Sequence, residues 1–222
     1  MRILIIGAGV LGSNLAHSLK KGNNVTILAI NKTFENLKNN GLIIKHKFGK
    51  KTVDYFNIID KLDENDIYDV IFIVTRFSSL DSIVPIIENN KSKNIVFVGN
   101  NITAEKYAKI KDKNVLFAFF MAAGKKDEGY INSICLNKIT IGRIDGKIIS
   151  NEFIKSIFKE TKIKVIIENK MNDYLKSHAC ISDHAMSARE EFILLESELE
   201  KLKEKSKLET KVYDKLKVEL LN

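Results

Sequence analysis

Short apolar runs alternate with amphipathic stretches along most of the chain. The apolar runs are rich in β-branched residues, as in strands that are buried on both faces of a parallel sheet. The clearest such runs are residues 2–6, 25–28, 69–74 and 94–98. Between the first two runs, Leu11, Leu15 and Leu19 recur at helical spacing. Strands that alternate with helices in this way predict an α/β fold around a parallel sheet.

The same pattern predicts further elements, with glycine marking several boundaries. The first helix is expected to end at Gly22, and the second at Asn40-Gly41, because glycine is favoured just after a helix. Pro85 falls within a crossover helix. The further predicted helices are 13–21, 35–39, 79–89, 103–110 and 148–159. The further predicted strands are 42–44, 53–56, 115–120, 130–136, 139–142 and 163–167.

A G-x-G-x-x-G pattern joins the first strand to the first helix. Gly7 suits a tight turn, Gly9 lets a pyrophosphate approach the backbone, and Gly12 allows close packing of the helix. The N–H groups at the helix start would then face the phosphates. This strand–turn–helix context predicts a Rossmann dinucleotide-binding domain. The predicted cofactor-binding residues of this glycine turn are Gly7, Ala8, Gly9, Val10, Leu11 and Gly12.

The end of the second strand bears on the choice of cofactor. An NAD site usually has an acidic residue there for the ribose hydroxyls, and this chain has none. Asn31, Lys32 and Thr33 follow instead and suit a 2′-phosphate, although a solvated Lys32 is the alternative. The sequence therefore favours NADP(H) over NAD(H).

Polar residues also follow two of the later strands. Thr75 and Arg76 come directly after residues 69–74, and Gly99-Asn100-Asn101 ends the next strand. Ligands of open parallel sheets bind at the carboxyl ends of the strands. Thr75 and Arg76 are therefore predicted to contact the cofactor.

The pattern becomes helical towards the end of the chain. We place a domain boundary near Asn169, which gives a Rossmann NADP-binding domain at 1–168 and a short all-helical domain at 169–222. A Lys/Glu-rich stretch, 189–222, carries leucines at helical spacing. Its apolar face is expected either to pack on helices of the same chain or to form a homodimer contact.

Composition limits the choice of partners. The formal net charge is +8, but lysines are spread among acidic residues without a basic-aromatic cluster, so no nucleic acid is expected. No apolar run is long enough to span a membrane, and no membrane partner is expected. The sequence begins in a strand without a signal-peptide pattern, which predicts a cytoplasmic protein. Two cysteines, Cys135 and Cys180, do not form a disulfide framework.

The order of these motifs resembles that of ketopantoate reductases (2-dehydropantoate 2-reductases). The resemblance implies NADPH-dependent reduction of 2-dehydropantoate to pantoate, a 2-keto acid to a 2-hydroxy acid, in pantothenate biosynthesis. The matching stretches are 5–12, 37–42, 69–76, 95–101, 127–142 and 172–188.

The resemblance also implies roles for single residues. Lys176, two residues after Tyr174, matches the catalytic lysine, and Asn100 matches an asparagine that contacts cofactor and substrate. Arg76 stands where a lysine is usual, and a guanidinium is not equivalent to an ammonium. Ile30 lies near the place of a cofactor-binding arginine.

Two departures leave other functions open. Cys180 and His184 occupy positions of substrate-binding asparagines, and the chain ends roughly 80 residues before the length expected of a two-domain member. A serine and an acid of the family have no match in the tail. The alternatives are a non-catalytic NADP-binding protein and a reductase of another branched 2-keto acid.

The segment around Cys180 and His184 also allows two other interpretations, a metal site and a catalytic nucleophile. Cys180, Asp183 and His184 would share one face of a helix and could ligate zinc, or a histidine could activate the thiol. The simpler interpretation is that Cys180 and His184 replace the two asparagines at the substrate site. We therefore predict no metal.

Overall fold

The computed structural model describes residues 1–47, 50–99, 104–177 and 197, and strands and helices alternate along it. The strands are β1 Arg2–Ile6, β2 Asn24–Leu28, β3 Leu42–His46, β4 Lys51–Asp54, β5 Asn57–Ile59, β6 Val70–Ile73, β7 Asn94–Val98, β8 Asn114–Asp127, β9 Tyr130–Gly142 and β10 Lys164–Glu168. The helices are α1 Val10–Leu19, α2 Asn31–Asn40, α3 Leu80–Asn89, α4 Ala104–Tyr107, α5 Asn151–Phe158 and α6 Met171–Ser177.

These strands form a single sheet in the order β4-β3-β9-β8-β7-β6-β1-β2-β5, and β10 pairs with β9. The pairs from β5 through β2, β1, β6 and β7 to β8 are all parallel. From β1 the chain first adds β2 on one side and later β6 on the other. The strand order therefore reverses at β1, which is where open α/β sheets bind ligands. The Rossmann-type α/β fold predicted from the sequence is confirmed.

Apolar side chains fill both faces of this sheet. Ile3 and Ile5 of β1 lie in a core with Leu15 and Leu19 of α1, and Ile154 of α5 joins them. The alternate residues of β1, Leu4 and Ile6, face a second core, to which α3 and α6 contribute. Burial on both faces explains why β1 is a continuous apolar run rather than an alternating one.

Helix α1 ends earlier than the sequence predicted, at Leu19 rather than at Gly22. The side-chain amide of Asn23 donates to the carbonyl of Leu19 at 2.9 Å and to that of Ile157 at 3.0 Å. The asparagine thus takes over a carbonyl that a further helical turn would have used. Gly22 still adopts a left-handed conformation, with φ of 79°, but in the turn that follows.

Helix α2 begins earlier than predicted, at Asn31 rather than at Glu35. The N–H groups of Thr33 and Phe34 both donate to the carbonyl of Ile30, at 3.2 and 3.3 Å. Asn31 itself has a φ of 52°, which asparagine tolerates better than most residues. Residues 31–33 therefore form the first turn of a helix directly after the second strand of the motif.

Strands β8 and β9 form a long antiparallel hairpin where the sequence predicted three shorter strands. The predicted break in β9 is a bulge: Phe120 pairs with Ile139 and Ala122 pairs with Cys135. Met121 therefore lies opposite residues 136–138, and Asn137 takes a φ of 49°. Pairing resumes beyond the bulge, so the hairpin extends to a turn at residues 127–130.

Smaller differences have local causes. Helix α5 begins at Asn151 rather than at 148, because the Ser150 hydroxyl accepts from the N–H of Phe153 and caps the helix. Strand β5, which pairs with β2, was not predicted. Helix α4 covers less than the predicted 103–110. The boundary near Asn169 falls between β10 and α6, and it stays a prediction.

Among the described residues, no helix is long and apolar enough to cross a membrane.

Candidate functional site

The glycine turn is pressed against the carboxyl end of β6. Gly7 has a φ of 110°, and a β-carbon there would overlap the carbonyl oxygen of Val74. A β-carbon at Gly12 would overlap the carbonyl oxygen of Gly7. Side chains are therefore excluded at both positions, by strain and contact at Gly7 and by helix packing at Gly12.

Gly9 is in the opposite situation, because a β-carbon there would meet nothing within 4 Å. Gly9 is also the residue that precedes α1, and no side chain caps the helix. The first N–H groups of a helix have no partner within the helix. The turn thus presents uncapped N–H donors beside open space, which is the arrangement that binds a pyrophosphate.

Thr75 adds an unsatisfied polar group at the same edge. Its Oγ1 is buried and has no hydrogen-bond partner among the described residues, and its methyl group is close to Gly7. Arg76, the next residue, is exposed. Gly99 lies at the end of β7, in open space and with a φ of 139°. Open space at Gly9 and at Gly99, beyond the carboxyl ends of β1 and β7, fits a polar ligand such as a dinucleotide.

Lys32, in the first turn of α2, contacts the tip of the β8–β9 hairpin. Its ammonium group forms an ion pair with Glu128, and both side chains are largely exposed. Glu128 raises the pKa of Lys32, chiefly through their hydrogen bond, and Lys32 lowers the pKa of Glu128 in the same way. The end of β2 therefore has an acidic residue beside it, although the local sequence contains none.

Lys126 reaches the same turn of α2 from the hairpin. Its Nζ donates to Thr33 Oγ1 at 2.9 Å. Lys126 and Thr33 line a small cleft together with Ala8 of the glycine turn. Burial lowers the pKa of Lys126. We call the contacts Lys32–Glu128 and Lys126–Thr33 the hairpin contact.

Neither hairpin residue is predicted from the sequence, since Lys126 is 93 positions from Thr33 and Glu128 is 96 from Lys32. No spacing rule connects residues so far apart.

Helix α6 is fixed to the sheet by the residues before Lys176. Met171 and Leu175 are buried in the second core. The hydroxyl of Thr140 donates to that of Tyr174 at 3.2 Å, and Tyr174 meets Phe119 edge to face. Lys176 follows on the same helix, and its side chain is outside what the structure describes. Asn100, Cys180, Asp183 and His184 also lie outside the described residues.

The described part of the chain holds no group of three or more histidine, cysteine or acidic residues that could bind a metal ion. Cys135 is a free thiol in β9, and burial raises its pKa. The zinc and nucleophile alternatives rested on residues beyond the described ranges.

Sheet order, glycine turn and helix start together define a Rossmann-type dinucleotide-binding fold. The chain belongs to the ketopantoate reductase family, because the family model "Ketopantoate reductase PanE/ApbA" matches residues 3–146. The family resemblance predicted from the sequence is thereby confirmed. Among curated proteins, none matches the chain.

Solved structures with the same fold include members of this family. The 2-dehydropantoate 2-reductase from Methylococcus capsulatus has a TM-score of 0.64 and 18% identity, over 79% of this chain and 59% of that chain. D-mandelate dehydrogenase with NADH and anilino(oxo)acetate has a TM-score of 0.64 and 19% identity, with the same coverage of 79% and 59%.

A dimeric ketopantoate reductase from Staphylococcus aureus has a TM-score of 0.60 and 15% identity, over 79% of this chain and 57% of that chain. At these identities the likeness shows the fold. The chain spans less than two thirds of the length of each of these three proteins.

Proposed function

We propose that the protein reduces a 2-keto acid to a 2-hydroxy acid with NADPH, and that the substrate is 2-dehydropantoate. One observation carries the proposal: the glycine turn of a ketopantoate reductase family member leaves open space at Gly9, beside the uncapped N–H groups at the start of α1. Both features are those of a dinucleotide site at the strand-order reversal.

Different residues at the carboxyl edge of the sheet would bind different parts of the cofactor. Residues 7–12 would hold the pyrophosphate through N–H groups, and the hydroxyl of Thr75 would gain a partner. Asn31 and Lys32 would lie beside the adenosine ribose. The bound dinucleotide supplies the hydride. The D-mandelate dehydrogenase neighbour, with NADH and an oxo acid together, supports this pairing of ligands.

The chain's own residues then handle charge and protons. Lys176 donates a proton to the ketone oxygen of the substrate while the carbonyl carbon receives the hydride, so the product carries a new C–H and a new O–H bond. As the hydride arrives, the ammonium group also stabilises the negative charge that develops on the ketone oxygen. Asn100 and Arg76 bind the substrate carboxylate, and Cys180 and His184 shape the pocket.

We also propose that the chain is a homodimer with domains at 1–168 and 169–222. The dimeric reductase from Staphylococcus aureus supports the assembly, and the leucine pattern of 189–222 supplies a contact surface. Sedimentation velocity over a range of concentrations tests this proposal, and a monomer at every concentration would contradict it.

The central experiment follows NADPH absorbance with a panel of branched 2-keto acids. We expect 2-dehydropantoate to give the highest kcat/KM in the panel. NADPH binding without oxidation by any 2-keto acid would instead identify a non-catalytic nucleotide-binding protein. A higher kcat/KM for another acid would keep the reductase and replace the substrate.

A further inference from the structure

We propose that Lys126, at the tip of the β8–β9 hairpin, binds the 2′-phosphate of NADPH together with Thr33. The inference rests on the proposed use of a nicotinamide dinucleotide and names the residues that select NADPH. It assigns this role to a strand that lies far along the chain from the glycine turn.

The cleft beside Lys126 is bordered by the two elements that flank the adenosine ribose in Rossmann sites, the glycine turn and the first turn of α2. In Rossmann sites the pyrophosphate sits on the glycine turn and the ribose lies at the end of the second strand. Ala8 of the glycine turn and Thr33 of the first turn of α2 line this cleft together. A phosphate on the 2′-oxygen would therefore enter next to the Thr33 hydroxyl.

Lys126 supplies the positive charge at this position. Its ammonium group uses one donor on Thr33 Oγ1 and has two more for a ligand. Within the described residues, no carboxylate forms an ion pair with it. Partial desolvation lowers the pKa of Lys126, so a nearby anion would favour its charged form.

The neighbouring lysines are less suited to the same task. Lys32 already pairs with Glu128, whose negative charge would repel a phosphate. Lys125 pairs with Asp127 at 3.1 Å. It also faces the other side of the hairpin, where it lines a separate groove with Lys45 and Asn132. Lys126 is thus the hairpin lysine that shares a cleft with Ala8 of the glycine turn and has no carboxylate ion pair within the part of the chain that the structure describes.

The test measures binding of two adenosine fragments by calorimetry. Adenosine 2′,5′-bisphosphate carries the 2′-phosphate, and ADP does not. We expect Lys126→Met to weaken the bisphosphate by about tenfold or more and ADP by less than about twofold, since only the bisphosphate has a 2′-phosphate to accept hydrogen bonds from the ammonium group. Lys125→Met is the matched control and should change neither, and thermal unfolding of each variant verifies the fold.

Equal losses for both fragments in Lys126→Met, or no loss in either, would overturn the inference. An equal loss for the bisphosphate in Lys125→Met would also overturn it, because general positive charge would then explain the binding. A wild type that binds the bisphosphate through Lys126 but never oxidises NADPH would sink the proposed reductase and leave this assignment standing.

Discussion

The glycine turn and the hairpin contact lie beside adjacent parts of the proposed cofactor, but the first consists of backbone atoms and the second of side chains. The glycine turn uses backbone atoms of consecutive residues, and side chains are excluded at Gly7 and Gly12. The hairpin contact uses exposed side chains of Lys32 and Glu128, which lie 96 positions apart. In this fold, therefore, the residues that bind the pyrophosphate can vary independently of those that select a ribose with or without a 2′-phosphate.

If both regions only bind the cofactor, the chemistry has to come from a third place. Lys176→Ala should therefore lower kcat on the order of 10²-fold or more and leave NADPH affinity nearly unchanged, because a general acid contributes that much. Stopped-flow rates and a fluorescence titration measure the two quantities. Lys170→Ala, one residue before α6, is the control. Unchanged turnover in Lys176→Ala would exclude the mechanism.

The glycine turn can be tested at two of its own positions. Gly9→Val should weaken NADPH by roughly 30-fold, about 2 kcal/mol, because it fills the open space and blocks hydrogen bonds to a charged group. Its melting temperature should hardly change, since the β-carbon meets no neighbour. Gly12→Val should instead lower stability by about 1–3 kcal/mol through overlap with Gly7. Tight NADPH binding by Gly9→Val would refute the site.

The far end of α1 tests whether the glycine turn depends on a rigid helix. Asp54 is buried and accepts hydrogen bonds from His17 of α1 and from Lys20, the residue that follows α1. Burial alone would raise the pKa of Asp54, but these two partners outweigh it and lower the pKa. Asp54→Asn should cost about 1–2 kcal/mol of stability at neutral pH, as measured by urea unfolding.

The same variant has a pH signature. Because the pKa of Asp54 is lowered in the folded state, its stabilisation is present above the unfolded pKa of about 4 and is lost as pH falls below it. The stability difference between wild type and Asp54→Asn should therefore shrink below about pH 4. A difference that stays constant with pH would show that packing, not charge, holds this end of α1.

The smallest effects are expected within the hairpin contact. Lys32→Ala should weaken NADPH by about threefold or less, because water screens the ion pairs of exposed side chains and leaves them weak. Glu128→Gln should strengthen NADPH slightly, since it removes a negative charge beside the ribose. NADH affinity is the control for both variants. A tenfold loss in Lys32→Ala would return the main role to Lys32.

The predictable part of the molecule is the part with short sequence separation. The strand Arg2–Ile6 and the turn to α1 were predicted because burial on both faces and glycine spacing are local signals. Local signals failed at α2, where Asn31 starts the helix in an unusual conformation. The polar residues near Asn137 predicted the end of a strand, but the structure has a bulge there, since polar residues occur both at strand ends and at bulges.

Local sequence signals were also insufficient for predicting the choice of cofactor. The absence of an acid after β2 was judged from neighbouring residues, but the fold brings Glu128 to Lys32 from the hairpin. The roles of Asn100, Lys176, Cys180 and His184 stay predictions, because these side chains lie outside the described residues. Contacts between residues far apart in the chain depend on how the strands pair in the sheet. No local sequence motif predicts them.

The bulge in the β8–β9 hairpin has a consequence for how this loop can change in length. It adds an even number of residues to β9, so Ile139 and Cys135, on either side of it, both face the core beneath α1. In β8 the faces alternate without interruption, which directs Lys126 and Lys125 to opposite sides. Deleting two residues of β8 between Ala122 and Lys125 would leave each lysine on its present face of the hairpin. Deleting one residue would move each lysine to the opposite face. The strand thus permits even steps in length and forbids odd ones.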